Sequence, residues 1–189
     1  MIRRIVGVVL ASALLAACST GSTLSNGDQT GFVSADGSAV VKDVDQRGDI
    51  VNFSAYFVGT QESWKLTQHR GDVVILNAWG PWCAPCRKEL PELQKIYSEF
   101  ADQGLTLVGL ATRTNATSTL AFTKKFNITY PQLADYDSAA LAQIPGIPSA
   151  TVPGSIFIDR KGRVAGWALG AADASLIRSI TQSLLEESD

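Results

Sequence analysis

The chain has 189 residues, 46% of them hydrophobic and 18% charged, which suits one domain with an apolar core and excludes a wholly disordered chain. Sixteen Lys and Arg against 18 Asp and Glu give a formal net charge of -2 with no basic block, so nucleic acid is not an expected partner. Three cysteines and one histidine are too few for a disulfide framework.

Arg3 and Arg4 precede an uncharged stretch from Ile5 to Ala17, and Cys18 follows at once, which is the layout of an export signal over residues 1–17. The stretch falls short of the roughly 20 apolar residues that a membrane-spanning helix needs. Leu15-Ala16-Ala17-Cys18 resembles the bacterial lipobox, in which cleavage occurs before the cysteine and that cysteine carries the lipid. The resemblance implies Cys18 as a lipid-attachment residue and a lipid anchor to the membrane; the alternative is a plain cleaved signal with an incidental cysteine. Residues 18–45 are expected to form a flexible tether. From Ser19 to Ser38 they are mostly Ser, Thr, Gly, Asn and Asp, with isolated Leu24, Phe32 and Val33, a composition unable to bury enough surface to order itself. Such a coil of some 20 residues reaches about 25 Å. The folded domain is expected over residues 46–189.

Within it, Ile50 to Val58 reads as an early strand or hairpin ending at Gly59-Thr60. Val73 to Trp79 is a nearly unbroken apolar run, as expected of a central strand covered on both faces. After Pro85, the spacing of Leu90, Leu93, Ile96, Tyr97 and Phe100 predicts a helix that Gly104 ends, and Leu105 to Leu110 predicts a second buried strand. Asn115 is a candidate N-cap for a helix to Phe126, and Ser138 for a short one stopped by Pro145. Ser155–Asp159 and Val164–Leu169 flank Arg160-Lys161-Gly162-Arg163 as a hairpin, and a last helix is expected from about Ala172 to Glu187. This order describes a mixed sheet with helices on both sides.

Trp82-Cys83-Ala84-Pro85-Cys86 is the one chemically loaded constellation. It stands where a buried strand meets a helix, and the free N–H groups of a helix N-terminus favour an anion there. Cys83 is therefore the candidate nucleophile for disulfide exchange, and Cys86, one turn later, the candidate resolving thiol. The competing readings are a permanent disulfide and half of a zinc site. For zinc, a second CxxC is lacking and the single histidine, His69, adjoins Arg70, so no metal is expected.

The segment Val74 to Pro91, VILNAWGPWCAPCRKELP, resembles the thioredoxin fold, and within it the extracytoplasmic TlpA/ResA-like branch. The likeness runs from about Trp64 to the C-terminus. It implies an α/β, thioredoxin-like fold, a mixed central sheet flanked by helices on both faces. Pro153, after Val152 and before Ile156-Phe157-Ile158-Asp159, matches the family's cis-proline; Pro145 and Pro148 are the competing positions. The match implies that Pro153 packs near Cys83 and that the Val152 backbone pairs with a substrate strand. Ile144 to Ala150 is longer and richer in proline than a minimal thioredoxin requires. Pro91 is expected to shape the helix. Glu89, three residues after Cys86, would neighbour that thiol on a helix and raise its pKa; the resemblance favours this role over a solvent-facing surface glutamate. Asn77 stands where cytosolic thioredoxins carry a buried aspartate. Trp82 is assigned to an apolar partner-docking surface.

The resemblance implies an enzyme: a lipid-anchored, extracytoplasmic thiol-disulfide oxidoreductase. It favours a reductase of disulfides in exported cysteine-containing proteins, such as apocytochrome c during cytochrome c maturation, over an oxidase that donates its disulfide. Without a GxGxxG motif, electrons are expected from a membrane thiol-disulfide carrier, and no cofactor beyond the Cys83–Cys86 pair is expected. A copper chaperone on the same fold would need a later histidine, which is missing after Cys86. A thiol peroxidase would need threonine where Gly80 stands.

Overall fold

The computed structural model describes residues 31–34 and 38–188. The export signal, Cys18 and the first part of the tether lie outside the described residues. In chain order the elements are β1 (Phe32–Val33), β2 (Ala39–Val41), β3 (Ser54–Tyr56), β4 (Ser63–Lys65), β5 (Val73–Trp79), α1 (Ala84–Phe100), β6 (Leu105–Thr112), α2 (Ala116–Lys125), β7 (Gln132–Asp135), β8 (Gly154–Ile158), β9 (Val164–Leu169) and α3 (Ala174–Glu186). Among the described residues, seven strands form one sheet in the order β1-β2-β9-β8-β5-β6-β7, and β3 with β4 make a separate hairpin. β5, β6 and β7 run parallel, whereas β8, β9, β2 and β1 pair antiparallel.

The apolar run of β5 divides its side chains between two cores, as the period of two requires. Val73, Ile75 and Trp79 join a cluster with Leu90, Leu93 and Ile96 of α1 and Ile177, Ile180 and Leu184 of α3, against which Phe122 of α2 packs. Val74, Leu76 and Ala78 face the other way, into a cluster with Phe53, Trp64 and Leu66 and with Leu141, Ile144 and Ile147. Thus α1, α2 and α3 cover one face of the sheet, and the β3–β4 hairpin with the 3₁₀ turns Leu66–His69 and Leu141–Gln143 covers the other. α1 runs through Pro91 to Phe100, and the 3₁₀ turn Ala101–Gln103 that follows it is closed by Gly104, whose φ of 92° admits the left-handed turn into β6. Asn115 caps α2 by accepting from the Ser118 N–H at 2.9 Å, as its side chain predicts.

Two expectations need correction, and one strand lies outside the predicted elements. The flexible tether expected over residues 18–45 does not extend to its end, for β2 pairs with β9 and β1 with β2 inside that segment. Backbone pairing at an open sheet edge, with Ala39 buried against the core, orders a stretch too polar to order itself. Ser138 caps no α-helix: its φ is 63°, and the buried Asp135 carboxylate instead accepts from the N–H groups of Ala140 (2.7 Å) and Leu141 (3.4 Å), leaving a single 3₁₀ turn. β7, finally, has no counterpart among the predicted elements.

Arg47 fastens the domain's entry to its exit. Its buried guanidinium donates to Asp159 Oδ2 at 3.2 Å and to the Glu187 carboxylate at 2.5 and 2.7 Å, linking the chain before β3 to the β8–β9 turn and the end of α3. Arg163 also donates to Asp159 Oδ2, at 2.8 Å.

Candidate active site

β5 delivers the chain to its C-terminal edge, where Gly80-Pro81-Trp82 leads into α1. Cys83 is the N-cap of α1, and its Sγ accepts from the Cys86 N–H at 3.2 Å. The two cysteines are joined by a disulfide. Cys83 is 5% exposed and Cys86 fully buried, so a partner's sulfur arriving from solvent meets Cys83 first. The sulfur that caps the helix also sits at the positive end of its dipole.

The sequence-predicted residues converge around this pair. The Val152–Pro153 peptide bond is cis, and Val152 packs against the same apolar cluster that holds Cys83 and Cys86. No hydrogen bond engages the Val152 backbone among the described residues. Trp82 is 48% exposed, and its Nε1 donates to the Thr112 carbonyl at 3.1 Å. Cys18 lies outside the described residues.

Glu89 is not on the solvent face. It is 7% exposed and shares the buried face of α1 with Cys86, Leu90 and Leu93. Asn77 reaches it from β5: Nδ2 donates to Glu89 Oε1 at 3.4 Å and to Ser155 Oγ at 3.1 Å. Ser155 stands opposite Asn77 in the β5–β8 ladder, with its hydroxyl beside the Glu89 carboxyl, one oxygen of which is buried without a partner among the described residues. Burial pushes the Glu89 pKa up to about 7, with the Ser155 hydroxyl pulling in the other direction. The Tyr130 phenol is buried in the same cluster, and burial together with the Glu89 charge holds it well above its ordinary pKa. A carboxyl that titrates near neutrality beside a buried sulfur is equipped to hold or give a proton there.

Sequence reasoning missed Ser155 and Tyr130. The signal for Ser155 was present, since Ser155 and Asn77 are each the polar residue of an otherwise apolar strand, and two such strands in register bring them together. Tyr130 carried none, because a tyrosine before Pro131 reads as an ordinary core aromatic.

A sequence model of the AhpC/TSA family matches residues 48–166. Among curated proteins, the thiol-disulfide oxidoreductase ResA of Bacillus thuringiensis subsp. konkukian is 29% identical over 100 residues, covering 53% of this chain and 56% of that protein. ResA of Geobacillus thermodenitrificans is 30% identical with the same coverage. The chain therefore spans a little over half the length of these curated relatives. Among solved structures, a secreted thiol-disulfide isomerase from Corynebacterium glutamicum superposes with a TM-score of 0.75 at 28% identity, covering 82% of this chain and 97% of that one. A DsbF homologue from Corynebacterium diphtheriae gives 0.72 at 30% identity, with 81% and 98% covered.

Proposed function

Because the chain belongs to the AhpC/TSA family, with ResA-like thiol-disulfide oxidoreductases among its relatives, we propose that it exchanges disulfides with protein partners through Cys83 and Cys86. The observation that carries this reading is the disulfide at the N-terminus of α1, with Cys83 slightly exposed and Cys86 fully buried. In the reducing direction, the Cys83 thiolate attacks one sulfur of a partner disulfide, forming a Cys83–partner bond and expelling the other partner sulfur as a thiolate. Cys86, deprotonated, then attacks Cys83 Sγ, closing the intramolecular disulfide and releasing the second partner sulfur. Two electrons pass to the partner, whose thiolates take up two protons. The two sulfurs suffice for this, with no further cofactor.

Glu89 is the group that accepts the Cys86 proton when Cys86 attacks. Its pKa near 7 suits that task, and Asn77, itself bonded to Ser155, holds one oxygen of its carboxyl. The unengaged Val152 backbone is suited to pair with an extended partner segment, beside Pro153 and the half-exposed indole of Trp82.

The reading extends to a lipid anchor at Cys18 and an extracytoplasmic site of action, on the strength of the lipobox-like tetrad. There the protein works as a reductase of exported cysteine-containing proteins, apocytochrome c in cytochrome c maturation being the substrate class that the ResA-like resemblance favours. A membrane thiol-disulfide carrier then re-reduces the pair. Alkylation of free thiols in intact cells tests the direction: a mostly reduced Cys83/Cys86 pair supports the reductase, and a mostly oxidised pair replaces it with a disulfide donor. Cys18→Ala is expected to release the domain from membranes with its exchange activity intact, and an unmodified Cys18 in the mature protein removes the anchor.

A further inference from the structure

Beside the disulfide, four neighbouring features hold one cation in place. Gly80 leaves space that a side chain would fill, since a Cβ there would collide with the Trp82 indole and lie 3.0 Å from the Thr112 carbonyl. The indole occupies that space and donates to the same carbonyl. The next residue, Arg113, has φ of 51°, in the left-handed region that non-glycine residues rarely adopt. Its guanidinium stands 4.4 Å from the Trp82 ring centroid. Arg113 is exposed and, among the described residues, has neither an ion pair nor a hydrogen bond, so its planar fork of donors is free. Asp137, which follows the neighbouring strand β7, is turned to the Ala139 N–H and does not pair with it.

The exposed charges that directly follow the disulfide on α1 are positive. Arg87 and Lys88, exposed immediately after Cys86, also lack an acidic partner among the described residues, and the carboxyl that follows them, Glu89, is buried. Elsewhere Arg47, Lys95, Arg163 and Arg178 are paired with carboxylates, while Lys42, Lys65, Lys124, Lys125 and Lys161, like the cations here, are not. Among the described residues, Arg113, Arg87 and Lys88 therefore stand near the redox pair without an acidic partner, in a chain of formal charge -2. We propose that the Arg113–Trp82 stack selects partners that carry Asp or Glu beside the reacting cysteine, with Arg87 and Lys88 adding to the same field. Guanidinium and carboxylate meet as a bidentate pair, so Arg113 determines specificity while the sulfurs do the chemistry. This rests on the oxidoreductase reading above.

The test uses the reduced full-length protein and two disulfide-bonded peptides that differ only in residues flanking one cysteine, Asp in one and Asn in the other. Each peptide disulfide takes two electrons from the Cys83/Cys86 dithiol, and the rate of that single turnover is read by tryptophan fluorescence. A charge pair at a wet rim favours the Asp peptide by about fivefold at low salt, and the ratio falls towards one as salt screens it. Arg113→Gln is expected to cut the ratio at least in half, and Arg113→Glu to bring it below one. A wild-type ratio of one at low salt, or an equal ratio in wild type and Arg113→Gln, overturns the proposal. If one of the two variants fails to fold, the ratio of the other decides. Failure of the wild type to oxidise on the Asn peptide overturns the oxidoreductase reading, and this proposal with it.

Discussion

Replacing Glu89 by Gln removes the titration of the buried carboxyl while keeping its shape and its contacts to Asn77 and Ser155. In the unfolded chain this carboxyl titrates at the ordinary 4.5, and in the folded protein at about 7. Between those values the folded state holds the proton more tightly, so the carboxyl's contribution to stability is fully present below pH 4.5 and is lost as pH rises through 7. At about 1.4 kcal/mol per pH unit, the wild type forfeits about 3 kcal/mol across that window. Glutamine forfeits none of it. Urea unfolding of the oxidised proteins at intervals from pH 4 to pH 8 is expected to show similar stability at the acid end and a Glu89→Gln advantage of about 3 kcal/mol at the alkaline end. A stability difference that stays constant over the whole range would falsify the assignment of a near-neutral pKa to this carboxyl. In the reduced protein the same substitution is expected to lower the apparent pKa of the coupled cysteine pair, read from the pH dependence of alkylation, because a negative Glu89 opposes a second charge on Cys86.

Cys86→Ser should accumulate mixed disulfides through Cys83, whereas Cys83→Ser should accumulate far fewer, as counted on non-reducing gels; equal trapping by both overturns the division of roles. Arg47→Ala strands two carboxylates, and since Arg163 still serves Asp159 and Glu187 is partly exposed, the loss should lie near the lower end of the roughly 3–5 kcal/mol typical of a broken buried pair. Unfolding curves that superimpose on wild type would show the clamp to be inert. Gly80→Ala forces the Trp82 indole off the Thr112 carbonyl at a cost of about 1–3 kcal/mol; an unchanged indole N–H resonance for Trp82 contradicts the packing described.

Elements with long apolar patterns could be read directly. β5 matches the run Val73 to Trp79, and α1 follows from the spacing of Leu90, Leu93, Ile96 and Phe100, because both patterns face continuous cores. β7 could not. Its four residues begin and end with buried polar side chains, Gln132 accepting from the Trp79 indole at 2.8 Å and Asp135 capping the next turn, so it has neither an apolar run nor a clean alternation. β1 and β2 escaped for a different reason, since their order comes from the edge of β9 rather than from their own composition. In the site, the CxxC pair was legible from spacing, while the cis bond at Pro153 rested on family resemblance. The Arg113–Trp82 stack brings together the end of β6 and the entry to α1, and no local pattern announces a contact across 31 positions.

The attachment of β1 and β2 has a mechanical consequence. Load applied to the chain ahead of residue 31 reaches the sheet at its outermost strand, held by two residue pairs, and then at β2, held to β9 by three. Such strands peel one after the other, like the first teeth of a zip. Unthreading residues 31–41 pays out about 35 Å of slack at roughly 3.3–3.6 Å per residue. The redox pair, at the end of β5 and two strands in from β9, is left undisturbed by this yielding. What the yielding lays bare is the free edge of β9, which would then seek another strand.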